Sequence, residues 1–114
     1  MYYQLSKSQK KIARIVMDKG LDNHYNKALK DAESILLKWH GGAFENNAEA
    51  YMNLFKSIRR NDRNIAVIYD DKGGSRWVEV MAMQLEDGVI TTGDLKDFDC
   101  EVKDAIILMS KLKF

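Results

Sequence analysis

Leu21, Tyr25, Ala28, Leu29, Ala32, Ile35, Leu36 and Trp39 recur at steps of three and four. Each helical residue turns the chain by about 100°, so residues at these steps share one side of an α-helix. The stripe runs for about five turns. Asp22 can cap its start, and Gly41 with Gly42 ends it. His40 lies near the C-terminal end, where the helix dipole favours a cation. A stripe this long demands an apolar surface to lie against. Proline, which punctuates loops and edge strands, is absent from all 114 residues. Both features point to a mainly α chain, a compact bundle of four to six helices joined by short glycine turns. The length fits a single domain spanning 1–114, with roughly two thirds of its unfolded surface buried.

Other helices follow from caps and periodicity. Ser6-Lys7-Ser8-Gln9 has the spacing of a capping box. Leu5, Ile12 and Val16 then share a face, and Gly20 supplies a stop before the long stripe begins. Asn46 and Glu49 read as a second cap with its reciprocal acid, followed by Tyr51, Leu54, Phe55 and Ile58 as a buried face. A last helix starts at Asp99, aligns Val102, Ile106 and Met109, and carries Lys111 and Lys113 at its favourable end.

Residues 65–85 admit two readings. Ile65 to Tyr69 and Trp77 to Leu85 flank Asp70-Asp71-Lys72-Gly73-Gly74-Ser75, as the arms of a β-hairpin flank a glycine turn. Alternatively, the preceding helix continues through Ile65, Ile68 and Tyr69. A new one then starts at Ser75 with Trp77, Val80, Met81 and Leu85 on one face. Met, Ala and Gln in the second arm favour the helix.

Asp87-Gly-Val-Ile-Thr-Thr-Gly-Asp-Leu95 is the only stretch in the register of a chemical motif, the second half of a calcium-binding EF-hand loop. With Gly88 as sixth residue, Ile90 takes the apolar eighth place and Asp94 the twelfth. The first and third places fall on Met83 and Leu85, which cannot ligate a hard cation. Corner chemistry accounts for the string better. Gly88 ends one helix and Val89 folds back toward Met83. Thr91 with Asp94 approximates a capping box, and Ile90 with Leu95 is spaced as a hydrophobic staple. Leu85, Gly88, Ile90, Thr91, Asp94 and Leu95 resemble the SHOCT-type hairpin, a short module at the ends of many bacterial proteins. The stretch from Gly74-Ser75-Arg76-Trp77 to Phe98 is also similar to short uncharacterised bacterial proteins. Neither resemblance implies an activity.

No catalytic constellation emerges. His40-Gly41-Gly42 lacks the nucleophile turn that a lipase-type oxyanion donor would serve. Gly73-Gly74-Ser75 lacks the lysine and spacing of a phosphate loop. Cys100, His24 and His40 have no paired ligand spacing, and a lone cysteine with two histidines does not make a nucleophile and base. Asp94, Asp97, Asp99, Glu101 and Asp104 read as a solvated acidic face at helix starts. The expectation is a protein that is not an enzyme and takes no cofactor or metal.

Charge is the remaining signal. Residues 1–63 hold 12 Lys/Arg against 7 Asp/Glu, and residues 64–114 hold 6 against 10. Lys7, Lys10, Lys11 and Arg14 fall on one helix face, and Arg59, Arg60 and Arg63 make a second cluster. These seven residues are the candidate binding set. The leading expectation is a small interaction or regulatory protein that meets a protein partner, such as an acidic one, through a surface patch. The alternative is nucleic-acid binding by the same residues, which the near-neutral total charge of +1 disfavours. No apolar run reaches the length of about 18 residues that a membrane span needs. The single cysteine suits a reducing compartment, so a cytoplasmic location is expected.

Overall fold

A computed structural model describes residues 4–70 and 76–112. The chain is mainly helical: α1 Lys7–His40, α2 Asn47–Tyr69, α3 Trp77–Glu86 and α4 Cys100–Ser110, with a 3-10 turn at Thr92–Leu95. No strand occurs among the described residues. Both arms of the ambiguous segment are helical, Ile65 to Tyr69 in α2 and Trp77 to Leu85 in α3. The Asp71–Ser75 turn, the proposed start at Ser75 and Lys113 lie outside the described residues.

The helices form two compact units, residues 1–23 with 68–114, and residues 24–67. In the first unit α3 is central: Val78, Val80, Met81, Ala82 and Gln84 are all buried. Burial reaches most of the way round α3, leaving the side of Glu79, Met83 and Glu86 partly exposed, which is why its pattern resists assignment from periodicity. Val102, Ala105, Ile106 and Met109 form the buried face of α4, as their spacing predicts. Ala13, Val16 and Met17 bring the N-terminal half of α1 into the same core.

Gly20 does not stop a helix. α1 runs through it without a break, and the two expected helices are one. The reason is close packing. A Cβ at Gly20 would lie 2.5 Å from Cδ of Gln84, and closer still to its Nε2. Gln84 is fully buried and donates from Nε2 to the Met17 carbonyl (2.9 Å) and to the Tyr69 hydroxyl (2.8 Å). Glycine is therefore the residue that lets a side-chain amide lie against the helix surface.

The Asp87–Leu95 corner is built as its residue types require. Gly88 sits at φ 73°, and the amides of Gly88 and Val89 donate back to the carbonyls of Leu85 (3.1 Å) and Gln84 (3.0 Å). These two bonds close a Schellman turn. Thr91 Oγ1 accepts from the Asp94 amide (3.3 Å) and the Thr91 amide donates to Asp94 Oδ2 (2.7 Å), a complete capping box. It caps one 3-10 turn rather than a long helix. Ile90 and Leu95 are both buried. Three polar contacts from α1 hold the corner and the start of α4: Gln9 to Asp99 (2.7 Å), Lys19 to Asp94 (2.5 Å) and Asn23 to the Val89 carbonyl (2.8 Å). The Ser6 box is therefore half made. Ser6 Oγ accepts from the Gln9 amide at 3.3 Å, but the Gln9 side chain goes to Asp99.

Candidate interaction surfaces

The second unit is a helical hairpin. Gly42, at φ 78°, ends α1, and the Ala43 amide returns to the Lys38 carbonyl at 2.9 Å. Asn46 Oδ1 caps α2 by accepting from the Glu49 amide (2.8 Å), while Glu49 accepts from Glu45 (3.1 Å) rather than from Asn46. Trp39 Nε1 donates to Asn47 Oδ1 at 2.9 Å, and Asn61 Nδ2 to Asp31 Oδ2 at 3.1 Å. As α1 is followed backward from 39 to 31, its α2 partners advance from 47 to 61. The two helices are antiparallel.

The seam between them combines small residues with the half-buried Ile35 and Leu54. Ala50 and Ser57 are the only buried residues among 24–67, with Ala28, Ala32 and Asn61 half-buried beside them. The large apolar residues lie one position further on in each helix. Ala28 and Ile35 are followed by Leu29 and Leu36, and Ala50 and Ser57 by Tyr51 and Ile58. A step of one residue is a turn of about 100°. In antiparallel helices the same turn carries both sets to the same side of the seam. Tyr25, Leu29, Leu36, Tyr51, Phe55 and Ile58 thus share one face of the hairpin, with exposures from 47% to 69%. Leu36, Trp39 and Tyr51 also line one shallow groove with Ile35, Asn47 and Ala50.

This overturns two expectations. The stripe from Leu21 to Trp39 is not a core stripe, and of Tyr51, Leu54, Phe55 and Ile58 three are exposed and only Leu54 is half-buried. Within the hairpin, Ala28, Ala32, Ala50 and Ser57 together with the half-buried Ile35 and Leu54 take up the contact between the two helices. The sequence pattern marks amphipathic faces without saying what covers them.

The basic candidates divide between the units. Lys7, Lys11 and Arg14 are exposed and Lys10 is half-buried on α1, in the first unit. Arg59, Arg60 and Arg63 are exposed on α2, in the second. The Arg14 guanidinium lies 5.4 Å from the centre of the Trp77 ring, a cation–π contact that commits part of its charge to the fold.

Two members of the acidic run, Asp94 and Asp99, are engaged in structure, while Asp97, Glu101 and Asp104 are exposed. Lys19 beside Asp94, and next the Thr91 amide, hold the Asp94 carboxyl below its ordinary range. Asp99 precedes α4 and accepts from Gln9. Cys100 is the exposed first residue of α4, whereas His24 and His40 belong to the hairpin. Among the described residues, no three His, Cys, Asp or Glu side chains gather where they could hold a metal ion. No helix in them is long and apolar enough to cross a membrane. Comparison with family models, curated proteins and solved structures gives no match.

Proposed function

We propose that this chain is a small non-enzymatic interaction protein that acts through a surface patch, and that the patch is the apolar face of the 24–67 hairpin. One observation carries the reading. From the exposures of its six large residues and Trp39, this face offers on the order of 700 Å² of side-chain surface, taking about 150–250 Å² for each aromatic. The largest apolar patch on an ordinary monomer is about 300–600 Å² and is often functional. The basic set is the weaker candidate, being split between two units with Arg14 engaged by Trp77. A reducing, cytoplasmic setting suits the exposed thiol of Cys100.

A photo-crosslinking amino acid placed at Tyr51, on the face, tests the reading in the native host. The expected product is one stoichiometric adduct that disappears with Leu29→Glu. Adducts from probes at Lys11 and Arg60 but none from Tyr51 would return the function to the basic residues.

A further inference from the structure

We infer that the occupant of the hairpin's apolar face is a second copy of this chain, so that two hairpins close a four-helix bundle. The inference rests on the interaction reading above and names its partner. Three features lead to it. First, the area fits. A stable interface of standard size takes about 800 Å² from each partner, and the face presents on the order of 700 Å². Second, the architecture fits. Two antiparallel helices with a shared apolar side are half of a four-helix bundle, and a two-fold axis across that side completes it with the same residues twice.

Third, the charges fit. Glu33 lies four residues after Leu29, and Asp62 four after Ile58, so both carboxylates fall on the apolar lines themselves. Arg59 borders them, and all three are exposed. Residues 24–67 as a whole hold 7 Lys/Arg and 5 Asp/Glu. An anionic membrane or a strongly acidic partner would meet Glu33 and Asp62 head-on, and a basic partner would meet Arg59. A second copy brings Arg59 to the same face that carries Glu33 and Asp62, so both signs are present on each side.

Sedimentation equilibrium of the full chain decides the matter. The expected mass at tens of micromolar is twice the 13.1 kDa of one chain. Leu29→Glu and Phe55→Glu should each weaken the dissociation constant about a hundredfold, because each buries a charge in the interface. Helical circular dichroism should persist, since neither residue is buried in the single chain. Lys11→Glu, in the other unit, should leave the mass unchanged. Wild-type chain that stays monomeric overturns the inference. If that monomer still gives a Tyr51 adduct lost with Leu29→Glu, the interaction reading survives with a different partner. If no adduct forms either, both fall.

Discussion

Substituting Gly20 with alanine isolates the packing of α1 against Gln84. Alanine is favoured over glycine inside a helix by about 1 kcal/mol, so on propensity alone Gly20→Ala stabilises. The structure reverses that sign. The new Cβ would sit 2.5 Å from Gln84 Cδ and 3.0 Å from its Oε1. Gln84 is fully buried, so its side chain cannot move aside into solvent without disturbing the core around it. Moving it breaks the bonds to the Met17 carbonyl and the Tyr69 hydroxyl, each contributing about 1 kcal/mol net. The displaced amide, buried and unpaired, adds a penalty of about 1–3 kcal/mol. The net loss is about 2–4 kcal/mol, or a melting point lower by about 10–20 °C for a unit of this size.

Urea unfolding followed by circular dichroism measures it, with Gln84→Ala as the second edge of a double-mutant cycle. In the Gln84→Ala background the obstruction is gone, and Gly20→Ala should stabilise by about 1 kcal/mol. The reasoning fails if Gly20→Ala stabilises the wild-type protein, or destabilises both backgrounds equally. Either result would mean that Gln84 does not require the glycine.

Asp94 gives a pH dependence. Its folded-state pKa is lowered, first by the Lys19 hydrogen bond and then by the Thr91 amide. Its contribution is therefore complete above the unfolded value of about 4 and is lost as pH falls through the folded value. Asp94→Asn should destabilise at neutral pH and converge with wild type in acid; a constant gap across an acid titration would refute this. Gly88→Ala forces a side chain into the φ 73° conformation and should cost about 1–2 kcal/mol by thermal melting, with little change at Gly41→Ala. For nucleic acid, Lys10→Glu with Arg60→Glu should leave low-salt retention on a duplex unchanged in fluorescence anisotropy. A steep loss, with strong salt dependence in the wild type, would restore the alternative reading.

The C-terminal half was largely legible in the sequence. Gly88, Thr91 and Asp94 act through local backbone bonds, so their types at their spacing are enough to specify the corner. Val102, Ile106 and Met109 likewise bury as their spacing requires. The failures are of another kind. Gly20 carries the chemistry of a helix stop, and only the long-range approach of Gln84, 64 positions away in sequence, makes it a packing residue instead. The polar run from Arg59 to Asn64 interrupts the apolar pattern, yet α2 continues through it because one helix side faces water. The hairpin face shows in the sequence as an apolar stripe, but periodicity tells only which side of a helix is apolar and not what covers it. The small residues Ala28, Ala32, Ala50 and Ser57 are the local sign that the helices meet there and that the large neighbours one step on stand outside the seam.

The path of the chain through the two units has a further consequence. The polypeptide leaves the first unit after Asn23 and re-enters it at Ile68. There, Met17 on the outgoing side and Tyr69 on the returning side are joined through the amide of Gln84. Entry and exit are thus fastened together by the first unit's own core, whatever is spliced between them. The hairpin is a cassette. Its length could change by matched segments of about seven residues in each helix, close to two turns, while the bonds from Gln84 to Met17 and Tyr69 are kept. Evolution or an engineer could exchange its recognition face as a block while the folding of the remainder stayed under separate selection.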